Sequence, residues 1–149
     1  MVDKSRILVM LENLKKYHQE LLNLLPSTLK EYTLNLEKKR ACERTAQLLI
    51  EECIDISNTL LRDLDLGLPE DDESIFEKLS QRGVLSEELT KKLQEMKKFR
   101  NILVHKYAKI DDTLAYENLK ENHHDFKIFR EEVLGFLKDE EKKRLKKQK

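Results

Sequence analysis

Tryptophan is absent from this 149-residue chain, glycine occurs three times, proline twice, and Cys42 and Cys53 are its only cysteines. So little glycine and proline excludes a fold built on many tight turns between short strands. The two cysteines fall eleven residues apart on one predicted helix, about 16 Å along its axis, and cannot bridge each other there. They read as small buried hydrophobes of a reducing compartment, with no metal-ligand spacing around them. No apolar run approaches the roughly 20 residues that span a bilayer, and the N-terminus lacks the basic, apolar and small-residue order of a signal peptide. The sequence therefore predicts a cytoplasmic protein with no membrane partner. Charge of neither sign dominates: 29 basic and 29 acidic side chains cancel. No global field draws in nucleic acid, so any such attraction must be local. Walker loops, zinc patterns, nucleophile elbows and repeated units are absent too.

What remains is a sequence rich in Leu, Lys and Glu with 39% charged residues, a composition that favours long helices. Its length suits one domain, residues 1–149, with a real core. Ile7, Met10, Leu11, Leu14, Tyr17, Leu21 and Leu24 recur at helical spacing before Pro26, which ends the first helix. A short helical turn is expected from Ser27. Asn35 then caps a long helix whose stripe is Cys42, Ala46, Leu49, Cys53, Ile56 and Leu60, running to about Asp63. Gly67, Pro69 and four consecutive acids make residues 66–73 a solvated loop. A short helix from Ser74 buries Ile75, Phe76 and Leu79 and stops at Gly83, a left-handed position. Ser86 caps the next helix, and Glu87 and Glu88 complement its dipole. After Asp111 and Asp112, one last helix is expected to bury Leu114, Leu119, Phe126, Phe129, Val133 and Phe136 or Leu137. The expectation is an all-α, up-and-down four-helix bundle with a short extra helix. The basic end, residues 142–149, is either a soluble frayed tail or a salt-sensitive phosphate contact.

The helix opened by Ser86 carries the chemistry. Leu89, Leu93, Met96, Arg100, Leu103 and Tyr107 advance in steps of three and four, so an arginine and a tyrosine occupy a stripe otherwise meant for burial. A buried guanidinium costs several kcal/mol unless a partner or a water-filled cleft receives it. On a regular helix Arg100 and Tyr107 share a face, whereas Arg100 and His105 differ by about 140°. The two meet only if the helix loosens near Val104 or if one comes from a second subunit across a symmetric interface. Arg100 offers a rigid fork of donors to phosphate oxygens, and His105 moves a proton near neutral pH. Spacing alone leaves blander roles open: an inter-helix salt bridge for Arg100, a cation at a helix end for His105, and a rim-facing core residue for Tyr107. His18, His123 and His124 have no carboxylate or cysteine pattern that would make them ligands.

Arg100-Asn101-x-x-x-His105-x-Tyr107 resembles the signature of the HEPN superfamily, specifically the Arg, four residues, His, one residue, Tyr pattern of HepT toxins. Arg40-Ala-Cys-Glu-Arg-Thr-Ala-Gln-Leu-Leu-Ile-Glu-Glu-Cys-Ile-Asp-Ile-Ser57 is similar to that family's second helix, and the acidic loop and short helix follow in the family's order. The resemblance covers about three-quarters of the chain, most clearly from the second helix to Asp125. It implies a homodimer with the motif cleft at its interface, and a metal-independent endoribonuclease acting as the toxin of a toxin-antitoxin pair. Arg100 and His105 match the catalytic pair, Asn101 the polar residue after the arginine, and Glu43 an acidic position on the second helix. Tyr107 matches the tyrosine that a cognate MntA-type nucleotidyltransferase antitoxin modifies with AMP. ATP is then consumed by the partner, and the chain itself requires neither cofactor nor metal. The alternative is a non-catalytic helical adaptor that docks a minimal nucleotidyltransferase or its nucleotide.

Overall fold

A computed structural model describes residues 1–69, 74–104 and 111–147. Four long helices form the frame: α1 (Lys4–Leu24), α3 (Leu36–Asp63), α5 (Glu87–Val104) and α7 (His124–Lys147). They close a ring in which α1 packs on α3, α3 on α5, α5 on α7 and α7 on α1. Among the described residues three short helices fill the corners: α2 (Leu29–Leu34) is the helical turn expected after Ser27, α4 (Ser74–Gln81) is the expected short extra helix, and α6 (Asp112–Asn122) is a separate helix that was not expected. The helices carry a four-helix bundle, and among the described residues none is long and apolar enough to cross a membrane.

Local chemistry explains most boundaries. Asp3, Thr28, Asn35 and Asp111 each accept a backbone N–H of the turn they open, and Ser86 Oγ accepts from Leu89 N at 3.1 Å. Such caps satisfy donors that the first turn of a helix leaves unpaired. Gly83 has φ +88°; its N–H reaches Ser80 O at 3.0 Å and Val84 N–H reaches Leu79 O at 2.9 Å. That pair of bonds needs a left-handed residue, which glycine adopts without strain. Asp65 does the same at the end of α3, with φ 55°, Asp65 N to Arg62 O at 3.1 Å and Leu66 N to Leu61 O at 2.9 Å. Ser86 also ties α5 to α7, since its N–H and hydroxyl both donate to the Glu132 carboxylate, at 2.6 and 3.0 Å.

The expected stripe of α3 is wholly buried, joined by Ile50 and Leu61. Thr45, Ser57 and Thr59 are buried on the same helix without cost, because each hydroxyl donates to the carbonyl four residues back at 2.7–2.8 Å. Both cysteines are buried and unbridged, and burial pushes the Cys42 thiol up to about 11. Neither is a ready nucleophile.

Two expectations fail near the C-terminus. The last helix is broken at His123 into α6 and α7, and Leu114 is 65% exposed rather than buried. A helix that turns Leu119 inward places Leu114 five residues and about 140° away, so Ala115 and Tyr116 take the inward face instead. Tyr116 fastens this corner by donating to Pro26 O at 2.8 Å.

The core makes a paired prediction. Leu49→Ala, at a fully buried position of α3, should lower unfolding free energy by about 2–5 kcal/mol in urea titrations. Tyr32→Phe, which removes a buried hydroxyl with no acceptor, should be neutral or stabilising. A comparable loss in both variants would contradict this packing.

Candidate functional site

Arg100 lies one turn before the end of α5, and its side chain is 29% exposed. The sequence demanded a partner for it, and α3 supplies one: Arg100 Nη2 donates to Glu51 Oε1 at 3.2 Å. Gln47 Nε2, one turn back on α3, donates to the same oxygen at 3.0 Å, so the carboxylate is itself held in place. Nη1 of the arginine donates to the exposed Asn101 Oδ1 at 3.2 Å, and its Nε is buried without an acceptor. A guanidinium has five N–H donors. Anchored through one amino group at each side, it keeps hydrogens available for an anion.

Glu43 stands elsewhere. It is two helical turns, about 12 Å along α3, from Glu51, and its ion pair is with Arg40, at 3.9 Å. Its other oxygen, Oε1, is buried without a partner. Burial pushes the Glu43 carboxyl up, Arg40 and Lys39 oppose the shift, and Asp112 adds to it. The carboxylate that touches the motif arginine is therefore Glu51, which the motif gave no reason to single out. A signal was nevertheless present: Glu43, Gln47, Glu51 and Asp55 recur every four residues, a polar row flanking the apolar stripe of the same helix. His105 and Tyr107 lie outside the described residues.

The acids around Arg100 are crowded. Burial pushes the Asp55 carboxyl up, Glu51 pushes it further, and Arg100 pulls it down. Glu52 is likewise raised, by burial and then by Asp55. Among the described residues no cluster of three or more His, Cys, Asp or Glu could hold a metal ion. The arrangement is a lone guanidinium at the end of α5, oriented by one carboxylate and suited to stabilising an oxyanion.

Arg100 and Asn101 thus stand near the end of the third long helix of an all-α bundle, the arrangement that the sequence resemblance implies. The family model for ribonuclease HepT-like proteins matches residues 10–133, and the chain belongs to that family. A protein of Archaeoglobus fulgidus provisionally named as an RNase is 40% identical over 72 residues, 48% of this chain and 54% of that one. An mRNA nuclease HepT of Shewanella oneidensis is 31% identical over 83 residues, 56% of this chain and 62% of its own length. The chain thus matches somewhat more than half the length of each. In structure it superposes on a tri-AMPylated Shewanella oneidensis HEPN toxin, solved in complex with an MNT antitoxin, with a TM-score of 0.81 and 22% identity over 91% of this chain and 99% of that one.

Removing the guanidinium should expose the crowding. An acid whose folded pKa lies above its unfolded value costs stability once pH rises past the unfolded pKa, and the cost is complete above the folded one. In Arg100→Gln, Asp55 loses the cation that lowers it, so its midpoint should rise further in a carbon-13 NMR titration. The variant's stability deficit should be largest at neutral pH and shrink in acid. An unchanged Asp55 midpoint would contradict this arrangement.

Proposed function

We propose that this chain is the toxin of a toxin-antitoxin pair, a metal-independent endoribonuclease whose site forms between two copies of the chain. The observation that carries the reading is Arg100, held by Glu51 in a chain of the ribonuclease HepT-like family. In this scheme His105 takes the proton from an RNA 2′-hydroxyl as that oxygen attacks the neighbouring phosphorus. Arg100 stabilises the charge that grows on the pentavalent phosphorane. The 5′-oxygen leaves carrying a proton from water, His105 releases its own proton to solvent, and a 2′,3′-cyclic phosphate remains. Asn101 steadies one amino group of Arg100 and Glu51 the other. Glu43 is the weaker supporting residue, since its own partner is Arg40.

Tyr107 is the control point. Its phenolic oxygen attacks the α-phosphorus of ATP bound by an MntA-type nucleotidyltransferase, pyrophosphate leaves, and AMP remains on the tyrosine. Each phosphodiester so added brings negative charge to the motif and opposes RNA. Support comes from the structural likeness to a HEPN toxin that is itself tri-AMPylated and bound to an MNT antitoxin.

One assay with two arms tests the proposal. Single-stranded RNA in EDTA should be cut by the wild type, and His105→Ala and Arg100→Gln should each be slower by about 100-fold or more. Equal cleavage by wild type and His105→Ala would overturn the nuclease assignment and favour the adaptor. With the transferase and ATP, AMP increments in intact mass should appear on the wild type and vanish in Tyr107→Phe. The same increments on both would exclude Tyr107.

A further inference from the structure

Three cations crowd one cleft between α1 and α7, far in sequence from Arg100. Lys15, Lys127 and Arg130 line it together with Leu14, His18 and Phe126. Elsewhere in this neutral chain cations meet carboxylates, as in Lys4 with Glu141, Lys39 with Asp112, Arg82 with Glu140 and Lys92 with Asp125. Among the described residues Lys15, Lys127 and Arg130 have no such ion pair, and the Nε of Arg130 is buried without an acceptor. A buried donor without a protein acceptor is costly unless water or an anion reaches it.

At the back of this cleft are two imidazoles. His18 Nε2 and His123 Nδ1 are 3.1 Å apart, and the His124 ring lies 4.0 Å from that of His123. A hydrogen bond between two ring nitrogens holds one proton and forbids a second on the same line. The groups facing His18 all oppose its protonation: His123, His124, Arg130 and Lys127, after burial as the first cause, push it down to about 4. Asp125 pulls the neighbouring His123 up and is itself engaged by Lys92. Lys15, Lys127 and Arg130 thus give the cleft positive potential, opposed on the His123 side by Asp125 alone among the groups acting on these two imidazoles.

We propose that Lys15, His18, Lys127 and Arg130 form a phosphate-binding site, a second anion site separate from Arg100. The free space at the cleft floor is about 10 Å³, room for one oxygen-sized atom. One phosphate oxygen enters there, and the remaining oxygens stay at the mouth with the two lysines. The same chemistry fits a phosphate of an RNA backbone or of a nucleotide. Because the anion favours charged imidazole, binding takes up protons: the site tightens as pH falls below the His18 midpoint of the complex and ceases to gain below about 4, the free value. The proposal does not require that Arg100 cleave RNA.

The test uses the full chain and imidazole nitrogen-15 NMR. Inorganic phosphate, compared with chloride at equal ionic strength, should raise the His18 midpoint saturably by about one unit or more. Arg130→Gln and the exposed Lys127→Gln should each reduce the effect, with unfolding midpoints recorded alongside. An equal response to phosphate and chloride, or an undiminished response in folded Lys127→Gln, would overturn the site. RNA and ATP titrations on an Arg100→Gln background identify the source. RNA affinity that falls with Lys127→Gln, with a salt slope smaller by about 1, assigns the site to the RNA backbone. Loss of ATP affinity with RNA affinity intact assigns it to nucleotides. Loss of neither would overturn the proposal.

Discussion

Covering the apolar face of α3 is the constraint on which the rest of the molecule depends. Its stripe from Cys42 to Leu60 is buried along five turns of a 28-residue helix, so α1, α5, α7 and the short α2 and α4 must all reach it. A helix surrounded in this way cannot rotate without exposing several leucines and isoleucines, each worth about 1.5–3 kcal/mol when fully buried. That fixes the azimuth of every other residue on α3. The row one step aside from the stripe, Gln47, Glu51 and Asp55, is thereby aimed at the end of α5, where Arg100 arrives.

The ion pair that results is a device for placement more than for stability. Partly exposed pairs such as Glu51 and Arg100 contribute about 1 kcal/mol or less to folding, while Asp55 and Glu52 nearby carry the cost of burial. What the pair does accomplish is orientation. Glu51 is tied from behind by Gln47 and holds one amino group of the guanidinium, and Asn101 holds the other. A flexible side chain at a helix end becomes a positioned cation. The cleft of Lys15, Lys127 and Arg130 is its counterpart across the bundle, where cations are left unpaired.

How much of this was legible in the sequence follows from the range of each interaction. Caps at Asn35 and Ser86 and the left-handed Gly83 are local hydrogen-bonding problems, solved within a few residues, and they stand where the sequence placed them; the restart after Asp111 is there too, with Asp111 as its cap. The α3 stripe was equally plain, because burial on one face imposes its period on the residues. The break at His123 was hidden, since neither proline nor glycine marks it. Leu114 was misplaced because it stands five residues, about 140°, from the inward-facing Leu119 on the same helix. Arg100 could be recognised as a charge in need of a partner, but α3 offers several acids, and only the angle between two helices decides for Glu51 over Glu43. The contact of His18 with His123, 105 residues apart, leaves no trace in local pattern.

These relations make the functional reading depend on a carboxylate that does not touch the substrate. If Glu51 orients Arg100 toward the phosphorane, its removal should slow the chemical step and leave folding and RNA affinity nearly as they were. The most direct measurement is the single-turnover rate of RNA cleavage by Glu51→Gln beside Glu43→Gln, with unfolding midpoints in parallel. The account predicts a loss of about tenfold or more for Glu51→Gln and a much smaller change for Glu43→Gln. A wild-type rate in Glu51→Gln, or a greater loss in Glu43→Gln, would contradict it.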